Sequence, residues 1–229
     1  MGKITNLLFR DHLSLFKTIL LNFKVFGIRN GLKFPILVSR DVKLGTIKRN
    51  SIIIDGPIKR FMIRFGFNGS SDLTYFNPRQ SYLSIEKDGC LLFHGNATFA
   101  PHNSIMVSGG KLEFGADFFS NNGNVFSCVN HISFGSECLL GGNITIRDSD
   151  GHKVFDKNIL PNDVVCSGEI IIGNHVWICN KCDILKNVTI LSDSVVSYNS
   201  LVLKPIDEPN VLIAGHPATI KKHDIEWVK

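Results

Sequence analysis

The sequence predicts an all-β chain wound into a solenoid. Three observations lead there: an aliphatic residue at every sixth position near the C-terminal end, small or medium residues four places after each, and no helical period in the same stretch. Ile172, Ile178, Ile184, Ile190, Val196 and Val202 carry the six-residue spacing, and Val176, Cys182, Val188, Ser194 and Ser200 hold the places four on. Positions i and i+4 have the same parity on a strand, so both face one side. Each unit is then a short strand plus a tight corner. The aliphatics stack from coil to coil, and the small residues leave them room. Gly173, Asn174, Asn180, Asn187 and Asn199 cluster at the remaining places, where a corner calls for a left-handed backbone. Such units are stable only when stacked on their neighbours.

Upstream, Phe134, Leu140 and Ile146 repeat the spacing, as do Phe93, Phe99 and Ile105. Between 106 and 130 the phase slips, and SNNGN at 120–124 reads as a loop at a corner. The organisation expected is an N-terminal helix and irregular β region over 1–80, the β-solenoid over 81–205 with a loop at 152–169, and a C-terminal cap or tail over 206–229. Within the first part, residues 4–26 place Ile4, Leu8, Leu15 and Ile19 on one helical stripe. Two roles fit that helix: packing on the solenoid or capping its end, or peripheral contact with a membrane through Lys17, Lys24 and Arg29. Residues 33–80 read as irregular first coils or a small β region.

The bulk numbers narrow the class. A chain of 229 residues can bury a real core. Seventeen Phe against three Met point to rigid, stacked packing. The net charge of +5 favours anionic partners, with a local cluster at Lys43, Lys48, Arg49, Lys59, Arg60 and Arg64. No stretch alternates bases and aromatics, so nucleic acid is not expected as a partner. The opening MGKITNLLFRDHLSLF lacks a secretory pattern, and no apolar run reaches the length of a membrane span. A cytoplasmic setting, at most peripheral to a membrane, is the expectation, with the six cysteines as reduced thiols.

The solenoid pattern breaks at ITIRDSDGHKVFD, residues 144–156, and resumes cleanly only at Ile170. Asp148, Asp150 and His152 stand in the break. IRDSDGHKVFD, then IIIGNHVWICNKCDILKNVTI, then VLIAGHPATIKK resemble the hexapeptide-repeat acyltransferases, closest to the branch of bacterial polysaccharide O-acetyltransferases. The resemblance is specific over about 130–222 and diffuse before that. It implies a left-handed parallel β-helix, a homotrimer, and acyl-CoA in the groove between neighbouring subunits. It also implies that a loop leaves the solenoid here with the catalytic base, His152, at its root. That loop would line the acceptor site, partly on the neighbouring subunit.

The chemistry suits a histidine. A thioester is already activated, and the acceptor alcohol needs a base that takes its proton as the oxygen attacks. Asp148 and Asp150, four and two places before His152, are candidates to orient the imidazole; either can equally cap a turn N–H. By parity Trp177 faces outward, into a subunit interface or against CoA or an acceptor sugar. By resemblance the acetyl-CoA contacts fall at Cys179, Asn180, Ser197, Tyr198 and Lys204, and in AGHPATIKK at Gly215, Pro217, Ala218, Lys221 and Lys222. The family usually has Gly or Ala where Asn180 and Tyr198 stand, which alters the groove there.

Cys179 and Cys182 form a C-x-x-C, read as packing. The histidines show no close pair in the repeats, so the zinc-dependent enzymes of this fold are not matched and no metal is expected. The function expected is acetyl-CoA-dependent O-acetylation of a bacterial surface glycan or related activated sugar. N-acetylation of a small or nucleotide-linked amino sugar and a non-catalytic glycan-binding solenoid remain as alternatives.

Overall fold

The computed structural model of the protein describes residues 12–69, 80–156, 158 and 164–229. Among the described residues one helix, α1 (Leu15–Gly31), kinked at Gly27, precedes short strands that take turns in three sheets. The first sheet holds nine strands, including β1 (Ile36–Val38), β4 (Ile63–Phe65), β13 (Leu139–Leu140), β16 (Trp177–Ile178), β19 (Val195–Val196) and β21 (Leu212–Gly215). The second holds seven, among them β2 (Val42–Leu44), β14 (Thr145–Arg147) and β17 (Asp183–Leu185). The third holds six, among them β3 (Ile52–Ile54), β9 (Lys111–Phe114), β12 (His131–Phe134) and β15 (Ile170–Ile172). Among the described strands every neighbouring pair within the coils is parallel, and only β22 (Ala218–Lys222) runs antiparallel, against β21. The chain is thus a three-sided coil, one strand per side per turn.

Coil length explains where the repeat is legible. Trp177 pairs with Val195 and Ile170 with Val188, both 18 apart, which is three six-residue units. Upstream, Ala97 pairs with Phe118, 21 apart, and Val125 with Thr145, 20 apart. The extra residues sit at corners and shift the phase, which is the slip between 106 and 130. The wider coils are filled by phenylalanine. Phe93, Phe114 and Phe134 stack in a column with centroids 5.5 and 5.4 Å apart, and Phe65 stacks on Phe99 at 5.0 Å. The 18-residue coil is filled by Ile170, Val176, Ile178, Cys182, Ile184 and Val188, all buried. Offset aromatic pairs add roughly 0.5–1.5 kcal/mol each beyond the area they bury.

The coils begin well before residue 81. Strands β1 to β4 already belong to the three sheets, so residues 36–65 are solenoid, separated by long corner segments that hide the period. Within the described residues the helix begins at Leu15. Ser14 caps it by accepting from Lys17 N at 3.3 Å, while the expected first turns over 4–11 lie outside the described residues. Its buried face is Thr18, Leu21, Asn22 and Val25. Asn22 is hydrogen-bonded both ways to the backbone of Ile36, and Thr18 Oγ1 accepts from Val38 N. The helix therefore covers the open edge of β1, a place where unpaired backbone groups would otherwise invite association.

At the other end, β21 continues the first sheet beside β19, and the chain returns through β22. The tail then crosses back over earlier coils. Ile225 N donates to Asn210 O, Trp227 Nε1 to His175 O, and Lys229 Nζ to Asp117 O.

Candidate active site

The coil that joins β14 to β15 is 38 residues long by the Ile132–Ile170 pairing, 20 more than three six-residue units. The excess is the loop anticipated at 152–169, and its root is pinned. Ser149 and Ser167 form an antiparallel bridge, Asp150 N donates to Cys166 O at 2.9 Å, and Gly168 N donates to Asp148 O at 2.9 Å. Residues 157 and 159–163 of the loop lie outside the described residues.

Asp148 is fully buried at this root. Its carboxylate accepts from Val129 N at 2.9 Å and from Asn130 N at 2.8 Å, in the coil below. A buried carboxylate is tolerable because those N–H groups satisfy it. Asp150, half exposed, forms an ion pair with Lys186 Nζ. Among the described residues neither carboxylate is hydrogen-bonded to His152, which is exposed just beyond Gly151. In this structure Asp148 is bonded to the backbone at the loop root, and Asp150 is turned to Lys186. Gly151 has φ +79°, a left-handed turn that presents His152 outward.

The residues assigned to acyl-CoA gather elsewhere. Cys179 and Asn180 follow β16, Ser197 and Tyr198 follow β19, and Gly215 ends β21. They stack as a column on one corner of the coil, between the first and second sheets. Pro217 forms the turn to Ala218, Lys221 and Lys222 on β22. Asn180 is built into the corner: its Oδ1 accepts from Gly142 N at 3.0 Å, and a side chain at Gly141 would collide with it. Tyr198 is exposed, with Lys181 Nζ 5.5 Å from its ring centre. Lys181, Lys221 and Lys222 are exposed here, whereas Lys204, also exposed, follows the second-sheet strand Leu201–Val202 and lies at the corner between the second and third sheets, away from the column. A column of open corner backbone beside several lysines fits a long arm ending in phosphates.

Trp177 faces outward from β16 as its parity required, 36% exposed, between Leu139 and Val195 of the adjacent strands. Its ring lies 5.8 Å from that of Trp227. Trp227, His175 and Asp193 were not singled out from sequence. His175 Nδ1 meets Asp193 Oδ1 at 2.9 Å, and Trp227 stacks on the imidazole. A recess of about 320 Å³ opens beside them, bounded by Asn210 and Glu226. The one signal in the sequence was an isolated tryptophan in an otherwise charged tail.

Burial pushes the Cys179 thiol up to about 11, with Cys182 adding to the rise, and burial raises Cys182 as well. Both stay protonated at neutral pH, and Cys182 Sγ donates to Ser197 O at 3.0 Å. All six cysteines are free. Among the described residues no cluster of His, Cys, Asp or Glu is arranged to hold a metal ion.

His152 and the corner column sit on different edges of the coil. The loop leaves between the second and third sheets, the column lies between the first and second, and the second sheet separates them.

No family model matches the sequence. Individual proteins do. A polysialic acid O-acetyltransferase from Escherichia coli O1:K1 / APEC is 27% identical over 131 residues, 57% of this chain and 40% of that protein. The galactoside O-acetyltransferase of Escherichia coli K12 is 32% identical over 112 residues, 49% of this chain and 54% of that protein. The chain thus spans about half the length of these two relatives. WbbJ of Escherichia coli K12, named for O-acetyl transfer in lipopolysaccharide biosynthesis, is 30% identical over 162 residues, 63% of this chain and 80% of that protein. Among solved structures, the polySia-specific acetyltransferase NeuO superposes with a TM-score of 0.56 at 23% identity, over 85% of this chain and 73% of that one. That is a likeness of fold, and the three-sided coil is the left-handed parallel β-helix. The chain belongs to the hexapeptide-repeat O-acetyltransferase family.

Proposed function

We propose that the protein is an acetyl-CoA-dependent O-acetyltransferase that modifies a hydroxyl of a bacterial surface glycan, with His152 as general base, working as a homotrimer. Acetyl-CoA supplies an activated acyl group. His152 takes the hydroxyl proton as the acceptor oxygen attacks the thioester carbonyl, and gives it to the departing thiolate as the acyl–sulfur bond breaks. Asp148 acts on this step only by fixing the loop root. The lysines of the corner column hold the phosphates, and Trp177 offers an apolar surface to the reacting end of either substrate.

The observation that carries the reading is the root of the loop. The coil breaks at one place between 145 and 170, the break is pinned by a buried carboxylate, and the first side chain beyond the pinned turn is an imidazole. The separation of His152 from the column favours a site completed between copies: a neighbour's loop would bring its imidazole to this chain's column. The acceptor class rests on the relatives, which are named for polysialic acid, galactosides and lipopolysaccharide.

Calorimetric titration of acetyl-CoA into the wild-type protein and the His152→Ala variant tests the donor. Micromolar binding by both supports the reading. Absence of binding by either protein moves the weight to a glycan-binding solenoid.

A further inference from the structure

Helix α1 uses one face to close the first coil, through Thr18, Leu21, Asn22 and Val25. The opposite face is also apolar, and among the described residues nothing covers it. Before the kink at Gly27, Phe16 is 75% exposed and Leu15 57%, with Ile19 and Leu20 close to half; beyond it Ile28 and the C-cap Leu32 are exposed as well. Single exposed aliphatics are ordinary, but a contiguous apolar stripe on a short helix marks a contact surface. Packing against the described coils does not account for it, since the helix meets them with its other side.

Charge is distributed with the same polarity. Residues 1–69 hold 13 Lys and Arg against 3 Asp, a net of +10; residues 70–229 hold 12 against 17 Asp and Glu, a net of −5. Lys24, Arg29 and Lys33 lie on the helix and its exit, and Lys43, Arg49 and Arg60 on the first coil; all six are exposed. None of them is in an ion pair among the described residues. The molecule therefore has a basic end carrying an exposed apolar helix face and a mildly acidic body.

We propose that this end docks on an anionic phospholipid surface. Helix α1 lies along the headgroup plane. Leu15, Phe16, Ile19 and Leu20 enter the acyl boundary, and the surrounding lysines and arginines meet the headgroups. The helix caps the end of the coil, so docking leaves the sides free, including the Trp177 face and the loop of His152. The acidic remainder is held away from the membrane. A second copy is disfavoured as the occupant, because end-to-end contact would press two +10 regions together. A soluble anionic glycan would answer the charge but leave the apolar stripe in water. No helix among the described residues is long and apolar enough to cross a membrane, so the contact is interfacial.

The test is flotation of the full chain with vesicles of phosphatidylcholine containing 30% phosphatidylglycerol, against vesicles of phosphatidylcholine alone. Two variants accompany it: Phe16→Ser with Ile19→Ser, and Lys24→Ser with Arg29→Ser. The wild type is expected to bind the anionic vesicles at least about tenfold better, with binding weakened by salt. Each double variant is expected to lose about tenfold while keeping its melting temperature and its mass by light scattering. Four results would overturn the proposal: equal binding to both vesicle types, no binding to either, full binding by the Phe16/Ile19 variant, or a fall in assembly mass in that variant. The last would make the face a contact between copies. Because the readout is binding, its outcome is independent of whether acetyl transfer occurs.

Discussion

Trp227 lies flat on the imidazole of His175, ring centres 4.1 Å apart and planes 7° from parallel, while its Nε1 donates to His175 O at 3.0 Å. The contact ties the C-terminal tail to a coil corner 52 residues earlier. It also sets a second indole 5.8 Å from Trp177 on the face assigned to substrate. Replacing Trp227 by Ala should free the tail and lower stability by about 1–2 kcal/mol. The remaining indole of Trp177 should emit at longer wavelength as water reaches it. Thermal unfolding and fluorescence of the variant check both.

Asp148 is expected to matter more than Asp150, although Asp150 is nearer His152 in sequence. Asp148→Ala strands the Val129 and Asn130 N–H groups beneath the loop root. Removing one side of a buried hydrogen-bonded set costs about 1–3 kcal/mol. Asp150→Ala breaks a partly exposed ion pair with Lys186, worth under about 1 kcal/mol. Melting temperatures rank the two. Acetyl transfer by Asp148→Ala should fall in kcat with the acetyl-CoA affinity kept, since the column is untouched.

Much of this was legible in the sequence, and the limits have physical causes. The spacing from Ile172 to Val202 was plain because those coils are three whole units long. Coils of 20 and 21 residues blurred the period, and the coils from Ile36 to Phe65 were hidden by long corners. His152, Asp148 and Asp150 stood out because the pattern stops there. What Asp148 does could not be read, because its partners lie 18 and 19 positions back and meet it only when the coils stack. His175 and Trp227 are coupled across a still longer interval.

Glu113 gives a pH dependence with a definite sign. Burial alone would raise its pKa, but hydrogen bonds from Lys111, His131 and His94 outweigh that and hold it below the ordinary carboxylate value. Its stabilising contribution is therefore present above the unfolded carboxylate pKa and lost as pH falls through the lower folded value. Glu113→Gln should be less stable than wild type at pH 7, and the gap should narrow as pH falls through the lowered carboxylate pKa. Chemical denaturation at pH 7 and pH 3.5 reads the difference.

The proposal that the site is completed between copies of a trimer can be tested by complementation. His152→Ala and Trp177→Ala, each inactive or weak alone, should regain activity when mixed and reassembled. In the proposed trimer, mixed assemblies would give some sites an intact imidazole from one copy and an intact indole from its neighbour. Activity no higher than the sum of the two variants would indicate that both residues serve one site within a chain.

The most direct test of the central claim is the rate of acetyl transfer from acetyl-CoA to a glycan hydroxyl by His152→Ala, with donor affinity measured on the same sample. Loss of the base should lower kcat by roughly 10²–10⁴-fold while acetyl-CoA binding stays within a few fold of wild type. A variant that transfers acetyl groups at the wild-type rate would contradict the account and return His152 to an ordinary loop residue.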